Sequence, residues 1–168
     1  MAATLPKQPP LELDPLEADE DTQKDKFLTF HLAGEDYGIE IAYVTEIIGI
    51  QPITEVPDMP AFIRGVINLR GKVIPIMDVR SRFHFKLRDY DGRTCIIVVE
   101  VKENCVGLIV DEVKEVLVIP ETQVEPPPAR GQESGGHYLK GLGKIEDRVK
   151  ILLDIEQLLY PREVALLN

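Results

Sequence analysis

From position 27 onward the hydrophobic residues form short runs, rich in Val and Ile, that are separated by Gly, Asp, Asn or Pro. This pattern is typical of β-strands joined by close turns. Many such strands in one chain indicate small barrels or a sandwich, so the predicted fold class is mainly β. Seven runs fit the pattern: FLTFHL (27–32), YGIEI (37–41), GVINL (65–69), KVIPIM (72–77), TCIIVVEV (94–101), CVGLIV (105–110) and VKEVLVI (113–119).

A few short helices are predicted between the strands. Asp154, followed three residues later by Gln157, forms a helix-capping pattern that opens IEQLLY, which Pro161 then ends near the C-terminus. Asp78 opens a second short helix. The segment AYVTEI (42–47) has apolar residues at helical spacing and predicts one more turn.

The chain also repeats itself. When the sequence is shifted by 69 positions, residues 27–50 align on 96–119 without a gap. When it is shifted by 76, residues 62–83 align on 138–159, also without a gap. The second copy therefore has extra residues, and PPPARGQESGGH (126–137) predicts a mobile loop at that place.

The repeat predicts two similar units, about 27–83 and 96–159, each with about five strands and the size of an SH3-like barrel. A unit of about 60 residues buries little surface alone, so we expect the two units to pack on each other and share a core. Residues that recur in both copies are expected to be structural. The glycine pairs Gly38/Gly107 and Gly65/Gly141 predict places where the backbone needs room or a positive φ.

One hairpin differs between the copies. In VINLRGKVIPIMD (66–78) the tip carries Arg70, and the aligned tip of the second copy carries Glu146. The fold therefore does not require Arg70. Its guanidinium can bind a carboxylate of a partner protein or of a nearby acid such as Glu46, and the alternative is an exposed arginine in a weak surface pair.

Charge and composition narrow the function. The net charge of −10 argues against general nucleic-acid binding. Residues 62–88 nevertheless carry seven Lys and Arg against Asp78 alone, which is either a solvated face or a patch for an acidic partner. Residues 1–25 are acidic and rich in proline and predict a disordered tail. No signal peptide or membrane span is predicted, which indicates a cytoplasmic protein with reduced Cys95 and Cys105.

No enzyme is predicted. His31, His84 and His137 are far apart in sequence and have no neighbours at metal-ligand spacing, and His31 falls on the outward phase of its strand. The chain has no P-loop, no nucleophile elbow and no dinucleotide fingerprint. We therefore expect no catalytic residue, no cofactor and no metal.

Four segments together resemble the CheW family, the coupling proteins of bacterial chemotaxis: VTEI (44–47), PAFIRGVINLRGKVIPIMDVRSRF (60–83), VGLIVDEV (106–113) and YLKGLG (138–143). The resemblance implies one CheW-like domain over 26–168, built as two intertwined five-stranded SH3-like β-barrels without catalytic activity. It implies that the protein bridges the regulatory domain of the histidine kinase CheA and the cytoplasmic tips of methyl-accepting chemotaxis receptors, without entering the membrane itself. Contacts between CheW copies in rings are also implied.

The resemblance assigns roles to six residues. Arg70 and Glu46 are implied in receptor binding, and Val113 and Val116 are weaker candidates for it in the second barrel. Val44 and Gly65 are implied in contact with the kinase. Two other binding functions remain open: a detached regulatory module of CheA or of a CheV-like protein, and a small-barrel nucleic-acid binder that uses the basic stretch 62–88.

Overall fold

The computed structural model describes residues 23–127 and 138–159. Nearly all of the predicted tail (1–25), most of the predicted loop (126–137) and the helix-ending Pro161 lie outside these residues. The described chain forms eleven strands: β1 (Lys26–Leu32), β2 (Glu35–Glu40), β3 (Val44–Gly49), β4 (Ile63–Leu69), β5 (Lys72–Asp78), β6 (Cys95–Val101), β7 (Asn104–Val110), β8 (Glu112–Val118), β9 (Val124–Glu125), β10 (Leu139–Ile145) and β11 (Arg148–Leu153).

The helices are short. α1 covers Val79–Arg82 and α2 covers Ile155–Leu159, and 3-10 turns lie at Ile41–Tyr43 and Glu121–Gln123. The two predicted caps are confirmed, because the carboxylate of Asp78 accepts from the backbone N of Arg80 at 2.9 Å and that of Asp154 accepts from Gln157 at 3.1 Å.

The predicted helical turn over AYVTEI is wrong beyond Tyr43. Residues 44–49 form strand β3, which pairs antiparallel with β6. The apolar spacing of this segment is compatible with a turn of helix, but hydrogen bonds to a strand 50 residues away decide the conformation.

The strands form two sheets. Barrel A is the six-stranded sheet with the order β8-β1-β2-β11-β10-β9, and barrel B is the five-stranded sheet with the order β3-β6-β7-β5-β4. In each sheet a segment of the chain connects the two edge strands. The chain that leaves β8 at one edge of barrel A returns as β9 at the other edge, and the chain that leaves β3 bridges through Thr54 to Val66 of β4. The mainly β fold of two barrels with few helices is thereby confirmed.

Each barrel contains strands from both sequence units. Exchanging every strand for its repeat partner (β1 for β6, β2 for β7, β3 for β8, β4 for β10, β5 for β11) converts the strand order of barrel B into the first five strands of barrel A. The sixth strand, β9, lies where barrel B has only the bridge of Thr54 to Val66. The two units meet in two antiparallel pairs, β1 with β8 and β3 with β6, and in two parallel pairs, β2 with β11 and β5 with β7. Neither barrel therefore forms from one unit alone, which is the intertwined arrangement that was predicted.

The buried apolar residues fall into three clusters. The largest lies between the barrels and contains repeat-related pairs such as Phe30 with Val99 and Ile39 with Leu108. A second cluster fills barrel B, and a smaller one of Phe27, Ile119 and Leu152 fills barrel A. The shared core that the repeat predicted is therefore the main hydrophobic contact of the fold.

The paired glycines are required for close packing. Gly65 has a φ of 149°, and a Cβ there would overlap the backbone carbonyl of Thr54. At the repeat-related Gly141 a Cβ would lie 2.6 Å from Val124 Cγ1 and 2.8 Å from the Glu125 carbonyl oxygen. In both barrels the glycine lets the closing segment lie directly against the hairpin strand.

Candidate functional site

The β4–β5 hairpin places Arg70 at the tip of barrel B. Arg70 and Gly71 both have positive φ values, 53° and 85°, as a two-residue type I′ turn requires. The side-chain oxygen of Asn68 accepts a hydrogen bond from the backbone N of Gly71 at 2.8 Å and fixes the turn. The local sequence Asn-Leu-Arg-Gly therefore holds Arg70 at the end of a rigid hairpin.

Arg70 forms an ion pair with Glu46 of strand β3. The pair joins the two edges of the sheet in barrel B, because β3 is its first strand and the hairpin contains its last. The Arg70 side chain is 69% exposed and that of Glu46 is 28% exposed. A pair this exposed contributes at most about 1 kcal/mol to stability, so the guanidinium remains available to a second carboxylate.

The ion pair lies on the rim of a cleft of about 300 Å³. Ile74, Val98 and Leu69 supply the apolar lining, and Lys72 and Glu100 add charge at the rim. A second cleft of about 440 Å³ adjoins the first and shares Lys72, Ile74 and Cys105 with it. We call the first of these the Arg70 cleft. Its combination of an apolar floor and a charged rim suits a side chain or a short segment of a partner protein.

The positions of barrel A that align with the ion pair of barrel B in the internal repeat carry a different charge. Glu46 aligns with Glu115 and Arg70 aligns with Glu146, so the ion pair is replaced by two acids. The backbone of Glu115 is instead held by Thr29, whose hydroxyl donates to the Glu115 carbonyl oxygen at 2.7 Å. The internal repeat therefore separates the requirements of the fold, which both barrels meet, from the arginine rim, which barrel B alone has.

Of the two residues implied in kinase contact, Val44 begins β3, two residues before Glu46, and packs its half-buried side chain against the core between the barrels. Gly65 lies under Thr54, where its lack of a side chain is a packing requirement. A substitution at Gly65 would therefore perturb barrel B itself, and its role in kinase contact stays a prediction.

The other two receptor candidates lie in barrel A. Val113 and Val116 are on β8, where Val113 pairs with Phe30 of β1 and packs against the core between the barrels. Val116 is 48% exposed, as its repeat partner Ile47 is at 43%. The structure thus brings Glu46 and Arg70 into contact and places Val113 and Val116 on the other sheet.

The basic stretch 62–88 does not form one basic face. Arg80 binds Asp111 with two hydrogen bonds of 2.9 and 2.8 Å, and Arg82 is buried and donates to the carbonyl oxygen of Leu158 at 3.0 Å. Burial opposes ionisation of Asp111, but the hydrogen bonds from Arg80 and from the backbone of Ala33, together with the charges of Arg80 and Arg88, outweigh it and hold the pKa of this carboxyl below its usual range. These arginines have structural roles, which removes the main argument for the nucleic-acid alternative.

Sequence reasoning missed a buried ionic cluster in barrel A. Lys150 Nζ lies 2.7 Å from Asp36 Oδ2, and His31 Nδ1 lies 2.6 Å from Asp36 Oδ1. Burial disfavours the charged carboxylate, but the hydrogen bond and charge of Lys150 and the charge of His31 overcome this and lower the pKa of Asp36. The expectation that His31 points outward is therefore wrong, because its ring nitrogen is buried against Asp36.

A signal for this cluster was present in the repeat. Asp36 aligns with Cys105 and Lys150 aligns with Ile74, so a lysine and an aspartate stand where the other copy has small or apolar residues. Two residues of opposite charge in barrel A replace two residues that contact the same cleft in barrel B. Such a replacement indicates a buried ion pair in barrel A.

Within residues 23–127 and 138–159, no group of three His, Cys, Asp or Glu side chains is arranged to hold a metal ion. None of the helices in this part of the chain has the length and apolar character that crossing a bilayer requires. Cys95 and Cys105 are free thiols.

Comparison with known proteins gives the class of protein that this fold and site define. The model of the CheW-like domain family matches residues 26–163. The chemotaxis protein CheW of Klebsiella aerogenes is 40% identical over 148 residues, which cover 88% of this chain and 89% of the relative. A probable chemotaxis protein CheW of Rhizobium etli is 33% identical over 138 residues, covering 82% and 89%.

The fold agrees with a solved structure. The crystal structure of the scaffolding protein TtCheW from Thermoanaerobacter tengcongensis superimposes with a TM-score of 0.73 at 37% identity, and the match covers 81% of this chain and 92% of that one. This chain belongs to the CheW family of chemotaxis coupling proteins.

Proposed function

We propose that this protein is a non-catalytic adaptor that couples the cytoplasmic tips of chemoreceptors to the histidine kinase CheA in signalling arrays. One observation carries the proposal beyond family membership. Arg70 has an exposed guanidinium at the rim of a cleft, and the repeat-related barrel folds with a glutamate in its place. A residue that the fold does not need, in a position where it can reach another molecule, is best explained by a partner.

The receptor contact is assigned to the Arg70 cleft. A receptor tip is a helical hairpin, and a carboxylate on it would form charge-assisted hydrogen bonds with Arg70 while an apolar side chain enters the cleft above Ile74. Glu46 orients the guanidinium before binding. Val113 and Val116 of barrel A are weaker candidates for the same partner.

The kinase contact is assigned to the barrel surfaces near Val44 and Gly65. The regulatory domain of CheA is expected to have the same double-barrel form, so a barrel-to-barrel contact would bury exposed apolar residues on both partners. Ring contacts between copies of this chain would use the same surfaces. The adaptor would act in the cytoplasm, recruited to membrane arrays by the receptors.

No chemical step is required for this role. The signal would pass as a change in the packing of the three proteins, provided that the adaptor has different affinities for the kinase-on and kinase-off arrangements. The difference between these two affinities, and not either affinity itself, sets how far the adaptor shifts the equilibrium between the kinase-on and kinase-off arrangements.

The test is a pair of calorimetric titrations with the full chain. One is into the purified regulatory domain of CheA from the same organism, and the other is into a receptor cytoplasmic fragment. Saturable one-to-one binding to the kinase domain is expected. Absence of binding to both partners by a folded protein would contradict the adaptor role.

Variants at the two hairpin tips locate the receptor contact. Arg70→Asp is expected to weaken receptor binding by about tenfold or more, because a hydrogen bond to a charged group contributes roughly 1.5–3 kcal/mol. Kinase binding should stay unchanged, and the protein should remain folded with a loss of only about 1 kcal/mol in the free energy of unfolding. The matched control is Glu146→Arg at the tip of barrel A, which should leave receptor affinity as it is. If Glu146→Arg raised receptor affinity by as much as Arg70→Asp lowers it, the cause would be a general charge effect instead of a site.

A further inference from the structure

Barrel B has a second opening beside the Arg70 cleft, and the proposed function does not use it. It is the adjoining cleft of about 440 Å³, which lies between residues 72–75 of β5 and residues 103–106 at the start of β7. These two parallel strands are paired only further along, at Ile76 with Gly107 and at the two positions that follow. We call this opening the β5–β7 cleft.

Pro75 explains why the two strands are unpaired at this end. A proline has no N–H group to donate to a neighbouring strand, and the ladder with β7 begins at the next residue, Ile76. The repeat partner of Pro75 in barrel A is Ile151, which pairs with Tyr37 of β2. The parallel ladder of barrel B therefore starts one position later than that of barrel A, and the β5–β7 cleft lies where the ladder is missing.

Barrel A has side chains at the related place. Lys150 of β11 is the repeat partner of Ile74, and Asp36 of β2 is that of Cys105. Their charged groups bind each other at 2.7 Å and join the two strands. The same fold is thus closed here by an ion pair in one barrel and open in the other. Because the fold does not need the opening, another molecule is the better explanation for it.

The lining of the β5–β7 cleft is largely apolar. Ile74 and Val106 are buried, and Pro75 is half-buried. Val73 also lines the cleft, although 63% of its surface is exposed. A valine this exposed beside an apolar cleft gains free energy when an apolar side chain of a partner removes it from water.

Lys72 lies at the boundary of the two clefts and lines both of them. Its Nζ is 3.5 Å from Cys105 Sγ. A thiol is a weak hydrogen-bond acceptor, so a carboxylate of a partner would form the stronger, charge-assisted bond with Lys72. Glu103 lines the β7 side of the β5–β7 cleft, and the cations Lys72 and Arg70 are both on the β4–β5 hairpin. This side of the surface therefore favours an acidic partner.

We propose that the receptor segment that binds Arg70 also places an apolar side chain in the β5–β7 cleft, with a carboxylate facing Lys72. The inference rests on the proposed function, because it assigns a second anchor to the same partner. The two clefts share Lys72, Ile74 and Cys105, so they form one continuous surface. Lys72 is two positions after Arg70, about 7 Å along a strand, and one turn of a helix covers about 5 Å. The second anchor therefore comes from the next turn or two of the same receptor helix.

Two valines at the same place of the repeat test the second anchor. Val73 and Val149 are repeat partners, and each is the second residue of its strand, with 63% and 50% of its surface exposed. Val73→Asp places a charge in the β5–β7 cleft, where a partner would remove it from water. Calorimetry should show binding of the receptor cytoplasmic fragment weakened by at least about tenfold. Val149→Asp adds the same charge to barrel A and should leave the affinity unchanged. Equal affinities of the two folded variants would overturn the proposal.

The two natural cysteines give a second readout without any substitution. Cys105 lines both clefts, whereas Cys95 pairs with Val110 at the other end of β7. With the receptor fragment at about ten times its Kd, about one chain in eleven is free, so iodoacetamide should alkylate Cys105 about tenfold more slowly. Mass spectrometry of the labelled peptides measures both thiols, and the rate at Cys95 should stay unchanged.

The outcomes separate this proposal from the proposed function. If the natural chain does not bind the receptor fragment, both fail. If binding depends on Arg70 while Cys105 stays reactive and Val73→Asp binds as well as Val149→Asp, the Arg70 contact stands and the second anchor is wrong. Protection of Cys105 by the regulatory domain of CheA, and not by the receptor fragment, would overturn the receptor as the occupant of the cleft.

Discussion

The interiors of the two barrels differ although five repeat-related strands follow the same order in both. Barrel B is filled by Ile74, Ile76, Ile96 and Val98 with other apolar residues. At the aligned positions barrel A has Lys150, Leu152, Phe27 and Thr29, and its interior holds the ionic cluster with Asp36. One barrel is closed by hydrophobic packing, and the other combines a smaller apolar cluster with a buried ion pair.

The difference shows which part of the fold is free to diverge. The core between the barrels retains apolar residues at both members of nearly every repeat pair, the exception being Leu158, whose partner is Arg82, and it contains most of the buried hydrophobic residues. Because this core holds the two units together, the residues that fill the interior of one barrel can differ from those that fill the other. In barrel B the result is an open cleft beside Arg70, and in barrel A the related position is taken by His31, Asp36 and Lys150.

The largest expected effect comes from removing one partner of the buried pair. Lys150→Met leaves the Asp36 carboxylate, whose side chain is only 10% exposed, without its main counter-charge. We expect a loss of about 3–5 kcal/mol in the free energy of unfolding, measured by urea titration at pH 7.

Two control variants sharpen this result. The double variant Asp36→Cys with Lys150→Ile copies the residues of barrel B and removes both charges, so most of the loss should be recovered. Ile74→Met in barrel B should cost less than about 1.5 kcal/mol. If Lys150→Met costs no more than Ile74→Met, the ionic cluster does not stabilise barrel A.

The paired glycines are expected to give the next largest effect. A Cβ at Gly107 would lie 2.6 Å from Ile76 Cδ1 and 2.7 Å from Ile96 Cγ2, whereas one at Gly38 would lie 3.0 Å from Leu152 Cδ2. Overpacking costs about 1–3 kcal/mol, so Gly107→Ala should fall in the upper part of this range and Gly38→Ala at or below its lower end. Thermal unfolding of both variants measures the two losses of stability. A larger loss for Gly38→Ala than for Gly107→Ala would mean that barrel A is packed more tightly than barrel B.

Lowering the pH should remove the contribution of the ionic cluster of barrel A to the stability of the fold. The folded pKa of Asp36 lies below the ordinary value of 3.8, so its contribution is present above that value and is lost as the pH falls through the folded pKa. The urea midpoint of the natural chain should therefore fall more between pH 5 and pH 3 than that of the Asp36→Cys, Lys150→Ile variant, measured with the same buffers.

The pair Arg80 and Asp111 is an internal control for the acid experiment. The pKa of Asp111 is also lowered, and this pair is intact in both proteins, so its acid sensitivity cancels in the difference. Parallel midpoints across the range would mean that Asp36 has the same pKa in the folded and unfolded chain.

The smallest effect on stability is expected at the hairpin tips. Arg70→Ala should cost less than about 1 kcal/mol, since the pair with Glu46 is exposed. Glu146→Ala in barrel A should be equally mild. Urea titrations at low and at high salt measure both, and the small loss at Arg70 should shrink further in salt. A loss well above this value at Arg70 would make the ion pair part of the fold and weaken the case for a partner.

Much of the fold was predictable from the chain. Seven apolar runs became strands β1, β2 and β4 to β8, and both aspartate caps formed as predicted. Of the other strands, β3 was misread as a helical turn, and β10 and β11 could be inferred only from the repeat, since LKGLGKI contains two glycines and two lysines. The contact of Arg70 with Glu46 was one of two options that the sequence left open.

By itself the sequence determined the duplicated architecture, the positions that need glycine and the single arginine tip, because these depend on residue type and on comparison within one chain. The tertiary structure alone decided the pairing of β2 with β11 and of β5 with β7, since residues more than 100 positions apart in the first pair leave no local signal. It also decided that His31 turns inward. The alternation of residues along the strand predicts an exposed histidine, because it contains no information about Asp36 on the neighbouring strand or Lys150 of the other unit. Only the folded structure brings these two side chains together beside His31.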